Sequence, residues 1–316
     1  MTAVYIDSDV SDEERRSRLY AGDIFLFKPT PGTLALIALA RAMLTEAFAP
    51  HDPRRVHHHL TPEETAKILA TLKPAFIHHP ECKRLLPQIL AEHGVDLDDV
   101  YFDVPRLRSA YPSHFLTSGI AYAFHPHRDT WYSAPACQLN WWTPVFPIQN
   151  NNAMGFFPDY FSEPVPNTSE GYNYYEWNSK HRASAAQNVH SDTREQPKPL
   201  IAIEGESQRY LPSSGGTILF SGAQLHESVR NTTDEARYSI DFRTVHVGDV
   251  RARRGAPNVD SKCTGTTMRD YLRGTDLSKI PDDLVAMYDD GSATGDKVLY
   301  FGDRLAVTAS APATKG

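Results

Sequence analysis

Near Tyr101 the spacing of apolar residues changes once, and helical spacing never returns in alternation with strands. Before that point, TLALIALARAMLTEAF sets Leu36, Leu39, Ala40, Met43 and Ala47 at helical intervals. Thr61, Pro62 and Glu64 supply the N-cap, first-turn proline and capping box of a second helix. A third helix is expected over Glu81–His93, kinked or restarted at Pro87 and ended by Gly94. Arg18–Phe27 reads as a short strand entered through a glycine turn. From Tyr101 onward the chain carries short aromatic and β-branched runs cut by Pro, Ser and Gly. These are YFDVPRLRSAYP, SGIAYAFHPHRD, Cys137–Ile148, LIAIEG, GGTILFSG and ARYSIDFRTVHV. Helices first and strands afterwards, with no βαβ alternation, predict a mainly β fold with flanking helices. One domain is expected, in three stretches. A mainly helical N-terminal layer (1–100) packs on an antiparallel β core (101–250), and a C-terminal extension (251–316) holds a helix over TMRDYLRG and a frayed tail.

Composition narrows the partners. The 316 residues carry a net charge of −7 and a pI near 6.0, with no concentrated basic run, so no nucleic-acid partner is expected. The acidic MTAVYIDSDVSDEERR does not suit a secretory signal. The most apolar early segment, Leu34–Ala40, meets Arg41 and reads as too short to span a bilayer, so no membrane is expected either. Cys82, Cys137 and Cys263 are scattered without ligand-like spacing, which suits free thiols in a cytoplasmic setting.

The chemistry-bearing stretch is FHPHRDTWYSAPACQLNWW, Phe124 to Trp142. In an extended chain His127 and Asp129 leave the same face, which makes half of a metal site. A third ligand is available at His226, within GGTILFSGAQLHESVRN. Two histidines and one carboxylate with open positions suit mononuclear non-haem Fe(II). Farther on, Arg237, Ser239, Asp241 and Arg243 share one strand face, and Tyr238, Ile240 and Phe242 share the other. The polar face must meet water or a polar cavity; an exposed strand with an ion-pair ladder is the competing account. Residues 162–199 are too long and too aromatic for a plain linker and are expected to form a lid carrying Tyr174, Tyr175 and Trp177. His57, His58 and His59 lie before a helix cap and read as a solvated loop.

HRDTWYS, the distal LHESVRNTTDEARYSIDFR and their spacing resemble the Fe(II)/2-oxoglutarate-dependent dioxygenases, and within them the phytanoyl-CoA dioxygenase-like family. The resemblance covers roughly residues 101–247. It implies a double-stranded β-helix, a jelly-roll or cupin-like core, with the metal near one mouth. It implies that His127, Asp129 and His226 are the catalytic iron ligands. Arg237 would pair with the distal carboxylate of 2-oxoglutarate, assisted by Ser228 and Ser239, and planar guanidinium suits that bidentate contact where Lys does not. Halogenating relatives replace the carboxylate with a small residue, so Asp129 favours hydroxylation. Asn140, which shares a face with Gln138 and Trp142, is expected to bond 2-oxoglutarate or substrate; a strand-pairing role is the alternative. Arg106 and Arg108 are candidates for an anionic substrate group, or else charges that blunt an edge strand. Trp131 and Tyr132 would wall the pocket or fill the core, and His125 has a supporting role. The activity implied is hydroxylation of an unactivated C–H bond in a small or medium polar metabolite, as in natural-product tailoring. O2 and 2-oxoglutarate would yield CO2 and succinate. The alternatives are a cupin-like metalloenzyme that does not use 2-oxoglutarate, and a non-catalytic jelly-roll binding module. Desaturation, epimerisation and cyclisation share the same ligand set.

Overall fold

The computed structural model describes residues 2–112, 115–116, 120, 125–191 and 194–292. Strand β1 (Val4–Ile6) leads into a helix that sequence reading missed. Ser11 accepts from the Glu14 amide and three acidic residues fill the first turn, so α1 runs Asp12–Tyr20. The strand expected from Arg18 is therefore corrected to β2 (Ile24–Phe27), after a turn in which Gly22 takes φ 100°. β1 and β2 pair in parallel and join the edge of the large sheet, so the N-terminal layer is not purely helical.

Helices α2 (Pro31–Phe48), α3 (Pro62–Ile77) and α4 (Pro80–Glu92) follow. The Thr61–Glu64 capping box forms as read, α4 runs unbroken through Pro87, and Gly94 takes φ 70° just past its end. Leu36, Ile37, Ala40, Leu44 and Phe48 of α2 are buried where it packs on α3 and α4. Residues Pro31–His58 are together long and apolar enough to cross a membrane by length and composition, which corrects the short span read at Leu34–Ala40. Packing inside the helical layer accounts for that apolar face.

The remaining strands are β3 (Val100–Phe102), β4 (Arg106–Ala110), β5 (Leu139–Pro144), β6 (Met154–Phe156), β7 (Gln208–Arg209), β8 (Thr217–Ser221), β9 (His226–Ser228), β10 (Arg237–His246) and β11 (Leu272–Arg273). One sheet runs β1-β2-β8-β5-β10-β3-β11 with β4 also on β10; the other runs β7-β6-β9. Every pair except β1–β2 is antiparallel. Short helices α5 (Tyr174–Glu176), α6 (Val247–Ala252) and α7 (Asp282–Ala286) complete the elements used below.

The two faces of β10 separate as their period of two requires. Tyr238, Ile240 and Phe242 enter the main core with Leu139, Trp141 and Leu219 and the helices, and Trp141 stacks on Phe242 at 5.7 Å. Arg237, Ser239, Asp241 and Arg243 face the other way. Opposite them lie Asn140 and Trp142 of β5 and Arg106 and Arg108 of β4. A second core joins Trp142, Ile218 and Phe220 of the large sheet to Met154 and Phe156 of the small one, so the sheets face each other there.

Two expected elements do not form. LIAIEG makes no strand, because beyond the Asn167–Pro199 bridge and the Leu200 N bond to the Pro166 carbonyl it pairs with no strand among the described residues; Leu200 and Ile201 remain exposed. TMRDYLRG is a 3-10 turn over Thr267–Asp270 that extends into β11, because Leu272 pairs with Phe102. Most of SGIAYAFHPHRD before residue 125, and the tail after 292, lie outside the described residues.

Candidate metal centre and its cavity

The ligand-bearing segment is pinned by two bonds. His127 and His226 exchange both backbone hydrogen bonds at 2.9 Å, which sets their imidazoles side by side, ring centroids 4.4 Å apart. Residues Asp129–Tyr132 then turn into a 3-10 helix, and Ser133 ends it at φ 65°. That turn returns the Asp129 carboxylate toward both rings: Oδ1 lies 3.7 Å from His127 Nε2 and 3.9 Å from His226 Nε2. All three side chains are buried, and their ligand atoms lie within 4.8 Å of one another.

The surroundings fix the chemical state of each. His127 Nδ1 contacts the His125 carbonyl at 3.1 Å and His226 Nδ1 the Gln224 carbonyl at 2.9 Å. A carbonyl only accepts, so each Nδ1 carries the proton and each Nε2 presents its lone pair. Burial carries both imidazoles below their ordinary value, His127 well below, with the nearby His226 adding to its shift. Asp129 goes the other way. Burial favours its neutral form, but Arg243, the two histidines and the Asn140 amide together outweigh this and hold it well below the usual carboxylate range. Gln138 Nε2 and Asn140 Nδ2 each donate to Asp129 Oδ2 at 2.9 Å, and Arg243 Nε approaches the same oxygen at 3.3 Å. Two donors and a neighbouring guanidinium thus engage Oδ2 and leave Oδ1 turned to the histidines. Tyr271 extends the chain of support, donating to Gln138 Oε1 at 2.8 Å. Neutral imidazoles beside an ionised carboxylate are the forms that bind a divalent metal, and this N,N,O donor set fits Fe(II).

The same residues open into a cavity of about 380 Å³. Arg237 lies on its wall, buried, donating to Ser228 Oγ at 3.0 Å and Ser239 Oγ at 3.3 Å, while its Nε has no partner. No carboxylate pairs with it among the described residues, and burial carries its pKa down to about 10. Its guanidinium lies 5.5 Å from the Trp142 ring. Arg108 also lines the cavity but already forms a two-pronged pair with Asp241, at 2.6 and 3.2 Å. Arg106 donates to Asp103 at 2.5 Å.

Several expected roles shift. Asn140 still faces the cavity, but its Nδ2 serves Asp129. Tyr132 lines the cavity edge-on to His127 at 5.5 Å. Trp131 does not: the 3-10 turn sends its ring to the far side, among Phe157, Val165 and Leu225, where Nε1 donates to Asp260 at 2.7 Å. His125 supplies the carbonyl that orients His127. Sequence reading missed Tyr271, Thr267 and Lys73, which arrive from outside the 101–250 stretch. Lys73 left one signal, a cation between Leu69 and Phe76 on the buried stripe of α3.

Residues 162–199 are built of short helical turns, among them α5. Tyr172, Tyr174, Trp177, Asn178 and Gln196 of this stretch line the cavity. Tyr175 instead turns away and donates to Asp289 at 2.9 Å. The two ends of the stretch meet: Thr168 N donates to the Lys198 carbonyl at 3.0 Å and Leu200 N to that of Pro166 at 2.8 Å. Asp260 holds this junction, accepting from the Val165 amide and Arg128, each at 3.0 Å.

No protein-family model and no curated protein matches the chain. Solved structures do. EvdO2 from Micromonospora carbonacea var. aurantiaca is 12% identical over 77% of this chain and 93% of its own, at a TM-score of 0.44. The non-heme monooxygenase ThoJ is 15% identical over 80% and 81%, at 0.38. SnoN, a non-heme alpha-ketoglutarate-dependent epimerase from nogalamycin biosynthesis, is 14% identical over 74% and 84%, at 0.37. These are distant likenesses, and the chemistry of this chain follows from its own site.

Proposed function

We propose that the chain is a non-haem Fe(II) oxygenase using 2-oxoglutarate, of the phytanoyl-CoA dioxygenase-like kind, on a double-stranded β-helix. Its reaction is hydroxylation of an unactivated C–H bond in a small or medium polar metabolite, with O2 and 2-oxoglutarate converted to succinate and CO2. One observation carries this reading. A single cavity holds both a neutral histidine pair with an ionised carboxylate and a buried guanidinium that lacks a carboxylate partner among the described residues. An uncompensated buried cation costs about several kcal/mol, so Arg237 favours an anion from outside the chain.

His127, Asp129 and His226 would hold the iron, which when bound supplies the oxidising chemistry. The chain's own residues do the rest. Gln138, Asn140 and Arg243 keep Asp129 ionised and turned one way, and the carbonyls of His125 and Gln224 hold the imidazoles in the ligating tautomer. Arg237 takes the far carboxylate of 2-oxoglutarate in two parallel charge-assisted bonds, its planar fork positioned by Ser228 and Ser239. Tyr172, Tyr174 and Trp177 cover the cavity and keep water from it, as a lid does. The carboxylate at Asp129 favours hydroxylation over halogenation. Free Cys82, Cys137 and Cys263 suit a reducing, cytoplasmic setting.

Titrating anaerobic protein with Fe(II) and then 2-oxoglutarate tests the reading. A weak visible charge-transfer band is expected only when both bind at one iron. Iron binding without the band would remove 2-oxoglutarate from the proposal. Substrate-stimulated succinate formation across metabolite classes then names the substrate.

A further inference from the structure

The cavity carries more positive charge than iron and 2-oxoglutarate consume. Lys73, Arg106, Arg108, Arg237 and Arg243 stand on its wall. Three carboxylates answer them. Asp103 takes Arg106 at 2.5 Å and lies 3.4 Å from Arg243, Asp129 lies 3.3 Å from Arg243, and Asp241 takes Arg108. Lys73 and Arg237 pair with no carboxylate among the described residues. A divalent iron and doubly charged 2-oxoglutarate cancel, so the wall stays net positive after both bind. Arg194 also lines the cavity, 5.1 Å from the Trp177 ring centroid.

Arg237 is matched by 2-oxoglutarate in the reading above, on which this inference rests. Lys73 is left over. It projects from α3 beside buried Leu69, Leu72 and Phe76, and Nζ donates to the Ile120 carbonyl at 2.6 Å. A carbonyl satisfies one proton but does not neutralise an ammonium. Burial brings the amine's pKa to about 7, with Arg108 pushing the same way and Asp241 opposing. Such an amine gains more from an incoming anion than a solvated surface lysine does.

We infer that the substrate carries an acidic group, a carboxylate or a phosphate, and that Lys73 with Arg108 beside it seats that group at the α3–β4 end of the cavity. Anchoring there leaves the rest of the substrate to extend toward His127 and His226, and it selects acidic molecules over neutral ones of the same size.

The test uses full-length protein loaded with Mn(II) in place of iron and saturated with 2-oxoglutarate. Inorganic phosphate and acetate serve as probes, their 31P and 1H relaxation reporting binding near the paramagnetic ion. At least one anion should bind. Lys73→Met should weaken it about tenfold or more, the order expected for losing a charge-assisted hydrogen bond. Lys73→Arg should stay within a few-fold of wild type, and Lys73→Gln substitutes if the Met variant does not fold. Tighter phosphate binding points to a phosphate-bearing substrate, tighter acetate binding to a carboxylate-bearing one. The inference is overturned if neither anion binds, if Lys73→Met leaves binding unchanged, or if an anion binds only when 2-oxoglutarate is left out, which would put it at Arg237. The Fe(II)–2-oxoglutarate band, recorded on the same protein loaded anaerobically with Fe(II) instead of Mn(II), keeps the two readings apart. Protein that shows the band but binds no anion loses only the acidic-substrate inference; protein without the band but with Lys73-dependent binding loses only 2-oxoglutarate.

Discussion

His57, His58 and Asp234 lie as close together as His127, Asp129 and His226, with ligand atoms within 4.8 Å in both groups. The residue types are identical and the settings are opposite. In the second group every side chain is at most 10% exposed; in the first, His58 is 46% and Asp234 62% exposed. The imidazoles of His127 and His226 are each held through Nδ1 by a carbonyl, whereas the His57 ring has no hydrogen bond among the described residues and only approaches Asp234, at 3.5 Å. Arg55 approaches Asp234 Oδ2 at 3.9 Å, across from the oxygen that faces His57 and His58. Arg243 likewise approaches Asp129 Oδ2, the oxygen away from the histidines, but that oxygen also accepts from Gln138 and Asn140. Proximity of ligand types is therefore cheap. Oriented tautomers and a carboxylate braced on one oxygen are what distinguish a metal centre.

The largest effect should separate the two groups outright. Replacing His127, Asp129 or His226 with Ala should abolish iron-dependent turnover while thermal melting changes little, and His57→Ala or His58→Ala should leave turnover intact. Near wild-type activity in any of the first three, or loss in either of the last two, would break the comparison.

Next in size is the anion side of the cavity. Arg237→Lys retains charge but loses the planar fork, so apparent 2-oxoglutarate affinity should fall by about one to two orders of magnitude, corresponding to about 1.5–3 kcal/mol. Succinate formation at varied 2-oxoglutarate measures it, and an unchanged requirement would move the role to Arg243. Smaller still is the brace on Asp129. Asn140→Ala should weaken iron binding roughly tenfold, read by competition with a chelator, because Gln138 and Arg243 still hold Oδ2. The smallest change is Tyr271→Phe, which removes one neutral hydrogen bond of about 1 kcal/mol behind Gln138 and should cost only a few-fold. A larger loss from Tyr271→Phe than from Asn140→Ala would show that Gln138, not Asn140, sets the carboxylate.

What the sequence made legible was local. The β10 faces follow from a period of two over one unbroken strand, and the same period joined His127 to Asp129. It failed one step later, where the chain coils at Asp129 and turns Trp131 to the far side. Residues 18–20 read as strand from their own apolar content, and the Ser11 cap that starts α1 lies seven residues upstream of them. LIAIEG has strand composition without a strand partner, and a single sequence does not display partners. Lys73 and Tyr271 reach the cavity through tertiary packing, and no spacing rule links residue 73 or 271 to residue 129. The orienting carbonyls of His125 and Gln224 are backbone groups, invisible to any reading of side-chain types.

The meeting of the two ends of residues 162–199 has a mechanical consequence. Thr168 with Lys198, and Leu200 with Pro166, close the stretch into a loop with a narrow neck, and Asp260 ties that neck to Arg128 between two of the metal ligands. We propose that this loop acts as a flap, which in opening must also release the bonds of Tyr172 and Tyr174 to Thr264 and of Tyr175 to Asp289. A tryptic nick after Lys180 should then leave both fragments fastened at the neck, so the nicked chain elutes as one particle and separates only in denaturant. Iron, 2-oxoglutarate and substrate together should slow the nicking, because they hold the flap down. Equal cleavage with and without them would make the covering a fixed wall.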